Sequence, residues 1–156
     1  LDVADVIGAA LHRDAGLLAG YKVRRNIPDD LPAIEGAEPL LEQAMSPVLD
    51  NAAKYADPGS TVEVSVQADD ANVVIRICDE GPGIAPEESE RIFEKFHRSD
   101  AADHRAAGTG LGLAVARGFT EALGGTLTAE NRTGHKGAAF VFTFPIAAEQ
   151  AAHDVA

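Results

Sequence analysis

Cysteine is almost missing: Cys78 is the only one among 156 residues. A disulfide framework is therefore excluded, as is a cysteine-based zinc site. Such usage fits a reducing compartment. Flanked by Val73, Ile75 and Ile77, the thiol reads as a small buried hydrophobe on a strand. No apolar run approaches the roughly 18–20 residues of a membrane helix, so a soluble segment without direct membrane contact is expected. Positive charge is scarce too. Lys and Arg total 13 against 25 Asp and Glu, a formal net charge of -12, which argues against nucleic acid or an anionic membrane surface as partner. The few cations cluster, with Arg91, Lys95, Arg98 and Arg105 lying around His97 and His104. That cluster reads either as a solvated face and loop or as a patch for a small polyanion. Initiating methionine, signal peptide, internal repeat and low-complexity linker are all lacking, and the chain is expected to be an excised piece of a longer protein.

What is present suits one globular domain. Hydrophobic residues make up 46%, enough to exclude disorder for the body of the chain and to build one core. Residues 3–13 have helical spacing. Lys22–Asn26 and residues 32–36 read as short strands. Residues 38–55 read as a helix with Leu41, Met45, Val48 and Ala52 on one face. After the turn Asp57-Pro58-Gly59-Ser60, residues 61–67 and 72–78 alternate as strands of a hairpin, Val73, Ile75 and Ile77 inward. A short helix at 87–95, a polar mobile loop at 97–107, a helix at 111–123 stopped by Gly124-Gly125, and strands at 126–131 and 138–144 follow. The fold class expected is an α/β two-layer sandwich. The domain spans residues 1–146, and 147–156 reads as a flexible tail.

Three motifs bear chemistry. Strand 73–78 runs into Asp79-Glu80-Gly81-Pro82-Gly83. A carboxylate at a strand end can accept a hydrogen bond deep in a pocket, and glycines allow close backbone approach to a flat ligand; the plainer reading is a strand-to-helix turn. Gly108-Thr109-Gly110-Leu111-Gly112-Leu113 opens a helix, where free N–H groups and the dipole favour an anion. It lacks the Lys-Ser/Thr of a Walker A loop and the third-glycine spacing of a Rossmann fingerprint, and alone it reads equally well as a tight turn. In Asp50-Asn51-Ala52-Ala53-Lys54-Tyr55, helical spacing sets Asn51, Lys54 and Tyr55 on one face. Asn can ligate Mg²⁺, Lys can reach a phosphate and Tyr can lie against a base; otherwise this is a solvated helix end.

Taken in order, these pieces resemble the GHKL ATPase superfamily and, within it, the sensor histidine kinases. Asp50–Tyr55 is similar to the N box, Asp79–Gly83 to the G1 box, Ile92-Phe93-Glu94-Lys95-Phe96 to the F box and Gly108–Leu113 to the G2 box. The resemblance covers roughly residues 1–146. Segments such as Ala52–Tyr55, Arg91–Arg98, Ala129-Glu130-Asn131-Arg132 and Gly137–Phe140 look closer still to the potassium-responsive Kdp-type sensor kinases.

The resemblance implies a Bergerat-type fold, a mixed, mainly antiparallel sheet backed by helices, that binds ATP and Mg²⁺. It implies that Asp79 reads the adenine amine, that Gly81 and Gly83 floor the pocket, and that Tyr55 and Ile84 pack nearby. Asn51 would ligate Mg²⁺ and Lys54 would contact phosphate, the pair carrying catalysis. Residues 97–107 would form a lid, with Arg98 or Arg105 reaching the phosphates. Gly108, Thr109, Gly110, Leu111 and Gly112 would bring N–H groups to them. Phe93 and Phe96 would anchor the lid, with Phe96 bordering the nucleotide. The implied acceptor is a histidine on a separate dimerisation helix pair, followed by a response regulator receiver domain. None of His12, His97, His104, His135 and His153 lies in the family's acceptor pattern. A cytoplasmic position, with the parent anchored in the inner membrane, is implied as well.

Two departures stand out. The family's helix usually has a second Asn where this chain has Pro47, and the gyrase and Hsp90 branch has a general-base Glu there. Proline cannot accept a proton, which disfavours an independent ATPase. Pro47 either kinks the helix or starts a fresh segment capped by Ser46. It also keeps open a second reading, a degenerate nucleotide-sensing module with weakened Mg-ATP binding. Ala37, where the family often has a capping Asp, predicts a weaker helix start by about 1 kcal/mol.

Overall fold

The structure, a computed structural model, describes residues 1–94 and 111–147. Val3–Arg13 forms helix α1, Glu38–Tyr55 helix α2 and Gly112–Ala122 helix α3. The strands are β1 (Lys22–Asn26), β2 (Thr61–Ala68), β3 (Asn72–Cys78), β4 (Thr126–Asn131) and β5 (Ala138–Pro145). They form one sheet in the order β1-β2-β3-β5-β4. β1 runs parallel to β2, and all other neighbours are antiparallel. This is the expected α/β sandwich on a mixed, mainly antiparallel sheet.

Alternation along the strands becomes two apolar rows across the sheet. One runs Val64, Ile77, Phe140, Ala129; the other runs Val66, Ile75, Phe142, Leu127. All eight are buried. A one-residue slip would turn a whole strand's row into water, so the rows fix the register. The opposite face is polar and carries an Arg76–Glu130 ion pair at 2.9 Å. β1, at the sheet edge, is exposed at all five positions.

The helices cover the apolar face. α1 is capped by the Asp2 side chain, which accepts from the Asp5 N–H, and buries Val3, Val6, Ile7, Ala10 and Leu11. That is a stripe at helical spacing. α2 buries Leu41, Ala44, Met45, Val48, Leu49 and Ala52. Its start lacks a side-chain cap at Ala37, as expected. α3 stops as Gly124-Gly125 predicts. Gly124 sits at φ +81°, its N–H donates to the Glu121 carbonyl, and that of Gly125 donates to Thr120. These two bonds make a Schellman cap.

Two expectations change, and one of the two readings of Pro47 is closed. Residues 87–95 do not form one helix: the described part is two single 3-10 turns, Pro86–Glu88 and Arg91–Phe93. The Ser89 hydroxyl and N–H both bond back to the Pro86 carbonyl, closing the first turn locally instead of propagating it. Residues 32–36 make only one bridge, Ile34 to Ile146. α2 also runs unbroken through Pro47, so Ser46 caps no new segment. Its hydroxyl instead donates to the buried Asp14 carboxylate at 3.1 Å. Pro47 still deprives the Gln43 carbonyl of its helical donor. Ala147 remains pinned by its N–H to the Ala33 carbonyl; residues 148–156 lie outside the described residues.

Pro47→Ala is expected to raise unfolding stability by about 1–3 kcal/mol, the interior-proline penalty less the unfolded-state entropy it restores. Urea denaturation measures this; an unchanged or lower midpoint would mean that packing of the ring outweighs the missing bond.

Candidate functional site

Three sequence motifs meet at α2. At its C-terminal end, Gly81 lies so close to Tyr55 that a Cβ there would sit 2.7 Å from the Tyr55 carbonyl oxygen. Eight residues earlier, a Cβ on Gly112, the first residue of α3, would stand 3.6 Å from the Pro47 Cβ. At 1.5 Å per residue these contacts are about 12 Å apart along the helix. Asn51 lies between them, half-buried, with Lys54 exposed one turn on. The Tyr21 hydroxyl caps the last turn, 2.6 Å from the Ala53 carbonyl and 3.3 Å from that of Ala56. Lys54 pairs with Asp50 at 3.0 Å, an exposed i,i+4 contact that costs little to exchange for another anion.

Asp79, at the end of β3, is 4% exposed. Its Oδ1 accepts from the Gly81 N–H at 2.8 Å and the Ala138 N–H at 3.3 Å. Among the described residues both bonds fall on Oδ1, and Oδ2 has capacity to accept from a ligand. Burial pushes the Asp79 carboxyl above the ordinary carboxylate range, while the Gly81 and Ala138 N–H groups and the Arg132 guanidinium pull it back. Neighbouring Cys78 is buried, and desolvation raises its thiol. It acts as a packed hydrophobe, as its flanking residues predicted.

The glycines of the turn answer to the protein's own packing. Gly81 has the Tyr55 main chain against it, and Gly83, at φ +83°, would drive a Cβ to 2.6 Å from Asn131 Oδ1. Ile84 is half-buried against the core, with its main chain held by Asn131. Phe93 is buried edge-on to Phe140, and Arg117 stands 4.4 Å over its ring while bonding Glu90. It is thus a packing residue. The N-cap residue of α3 gives no side-chain cap, and first-turn N–H groups at a helix start suit an anion. Leu111 is its N-cap.

Of the residues singled out from the sequence, Asn51, Lys54, Tyr55, Asp79, Gly81, Gly83, Ile84, Leu111 and Gly112 are thus gathered along α2 and the ends of β3 and α3. Phe96, Arg98, Arg105, Gly108, Thr109 and Gly110, with the lid expected at 97–107, lie outside the described residues. Arg91, from the basic cluster, stands 4.0 Å from Glu88. Three residues carry structure at the site that motif reasoning did not assign: Asn131, Arg132 and Gly137. Gly137, at φ +115°, has no room for a Cβ beside the Asp79 carbonyl. Their only signal was the likeness of Ala129–Arg132 and Gly137–Phe140 to a kinase subfamily.

Comparison with known proteins converges on one family. The profile described as histidine kinase-, DNA gyrase B-, and HSP90-like ATPase matches residues 36–148. The sensor protein KdpD of Clostridium acetobutylicum is 36% identical over 145 residues, covering 92% of this chain and 16% of that protein. The sensor-like histidine kinase SenX3 of Mycobacterium tuberculosis is also 36% identical, over 157 residues, covering 99% of this chain and 38% of that protein. The solved structure of the mycobacterial sensor histidine kinase MprB matches with a TM-score of 0.82 at 30% identity, covering 94% of this chain and 96% of that one. The chain therefore spans well under half the length of these curated relatives.

The raised Asp79 carboxyl gives a signed expectation. Between the ordinary carboxylate value, about 3.9, and the raised native value, the folded state holds a proton that the unfolded state has lost. Ligand-free stability therefore falls as pH rises through that window, and above it the cost is complete. Asp79→Asn keeps an oxygen for the two N–H groups and removes the charge. Its ligand-free urea midpoint is expected to exceed wild type at pH 7 and to converge with it near pH 4. A variant less stable than wild type at pH 7 would contradict the burial cost.

Proposed function

Because the chain belongs to the histidine kinase-, DNA gyrase B-, and HSP90-like ATPase family, we propose that it is the ATP-binding catalytic domain of a two-component sensor histidine kinase. In this reading it donates the γ-phosphate of Mg-ATP to a histidine on the dimerisation helix pair of the same protein. The phosphoryl group then passes to a response regulator receiver domain. One observation carries the reading: a buried aspartate at a strand end, one carboxylate oxygen held by the backbone and the other left for a ligand, beside the Tyr55 end of the Asn51 helix.

The residues divide the work along α2. Asp79 Oδ2 accepts the adenine amine, with Gly81, Gly83, Ile84 and Tyr55 around the base. Lys54 leaves Asp50 for a phosphate. Leu111 and Gly112, at the start of α3, lie on the triphosphate side, assisted by Gly108, Thr109, Gly110, Phe96, Arg98 and Arg105. No group of three or more His, Cys, Asp or Glu side chains among the described residues forms a resident metal site. Asn51 offers one neutral oxygen, which fits Mg²⁺ delivered on the triphosphate with phosphates and water as its other ligands. Held by Asn51, such a cation would supply charge neutralisation for the transferring group. Pro47 supplies neither a second ligand nor a base, so the site favours transfer to a histidine over water activation. Kdp-type and SenX3-type relatives match at equal identity, so potassium sensing is one of several possible inputs. A cytoplasmic position follows from the kinase reading; among the described residues no helix is long and apolar enough to cross a membrane.

Calorimetric titration tests the assignment. Asp79→Asn, which points an N–H at the adenine amine, is expected to weaken ATP binding by about tenfold to a hundredfold, the loss of one charge-assisted hydrogen bond. Unchanged affinity would undo the adenine role. Pro47→Asn is expected to raise the gain in affinity that Mg²⁺ confers; no gain would remove position 47 from the metal's surroundings. Incubated alone with ATP, the domain should form no stoichiometric acid-labile phosphohistidine by mass spectrometry, because its own histidines lack the acceptor pattern.

A further inference from the structure

The hairpin joining β4 to β5 grips both ends of the Asp79–Ile84 turn. Asn131, the last residue of β4, lays its amide across the main chain of Ile84. The Ile84 N–H donates to Asn131 Oδ1 at 2.7 Å, and Nδ2 donates to the Ile84 carbonyl at 2.6 Å. One side chain thus supplies the donor and acceptor that a neighbouring strand would have provided. Among the described residues neither group of Ile84 has a backbone partner. The next residue, Arg132, donates from Nη1 to the Asp79 carbonyl at 3.3 Å. Across the hairpin, the Asp79 N–H donates to the Ala138 carbonyl at 2.9 Å, and the Ala138 N–H returns to Asp79 Oδ1. Between these anchors the chain has no regular secondary structure.

We propose that Asn131 and Arg132 are positioning residues for base recognition, holding the Asp79–Ile84 turn so that Asp79 Oδ2 meets the 6-amino group of a purine nucleotide. The proposal rests on the adenine role of Asp79. Asn131 acts through the main chain of the turn, and Arg132 through the Asp79 carbonyl together with the field of its guanidinium on the carboxylate. A hydrogen bond to a buried carboxylate weakens steeply with misalignment, so small freedom in the turn lowers discrimination before it lowers folding. The Asn131 bonds are solvent-exposed, so water can replace them and the variants are expected to fold.

The test compares ATP with purine riboside triphosphate, which lacks only the 6-amino group, and with inorganic tripolyphosphate, which lacks the base. Wild type is expected to prefer ATP over the deaminated analogue. Asn131→Ala and Arg132→Met should each reduce that preference by about five- to tenfold, with tripolyphosphate affinity unchanged. Arg132→Lys, which keeps the cation, should recover most of it. If Asn131→Ala does not fold, the Arg132 pair decides alone. Wild-type preference in the folded variants, with Asp79→Asn losing it, overturns the positioning role and leaves the adenine role standing. Equal losses for all three ligands indicate general loosening and overturn it as well. Full preference in Asp79→Asn removes the adenine role itself, and the positioning proposal with it.

Discussion

A carboxylate kept out of water at the end of a central strand is the constraint around which this domain is arranged. Left unsupported, such a group would take up a proton or draw in solvent. Two backbone N–H groups and the field of one guanidinium hold it. Each source comes from a different place in the chain: Gly81 from its own turn, Ala138 from β5, Arg132 from the hairpin. The pairing of β3 with β5 is thus as much a part of the site as Asp79 itself, because a shifted register would remove the Ala138 N–H from Oδ1.

Helix α2 is the second organising element. It meets Asp14 through Ser46, the start of α3 at Pro47, Tyr21 through the carbonyls of Ala53 and Ala56, and Gly81 at Tyr55. One rigid rod therefore sets the separation between the Asp79–Ile84 turn and the start of α3. A residue every 1.5 Å fixes Asn51 between them without any direct contact between those two ends. Proline inside this rod is tolerated because the buried stripe Leu41–Ala52 on the core side holds the helix in place, and each buried large apolar side chain contributes about 1.5–3 kcal/mol.

The sequence made most of this frame readable, since half-buried elements write their geometry as periodicity. Val62, Val64 and Val66, then Val73, Ile75 and Ile77, alternate because one face of each strand is wet. The same holds at helical spacing for α1 and α2. Residues 87–95 misled for a local reason: composition does not show that Ser89 closes a turn onto Pro86. Asn131, Arg132 and Gly137 escaped assignment because their contacts span distance rather than spacing. Asn131 acts on a residue 47 positions away, and Arg132 on one 53 positions away. No periodicity records such a pairing. The glycines of the first motif were readable as necessary, but for a reason the sequence hides, since the atoms they must avoid belong to Tyr55 and Asn131.

Strand β1 has a consequence for how the molecule behaves in company. It is one of the two edges of the sheet, exposed throughout, and it carries Lys22, Arg24 and Arg25 within five residues. An open edge is a template for adding another strand, yet any strand docking there must strip water from three cations. On a chain whose formal charge is otherwise strongly negative, this concentration of positive charge guards the one parallel margin against self-pairing. Two molecules of this domain are thereby discouraged from pairing through their β1 edges.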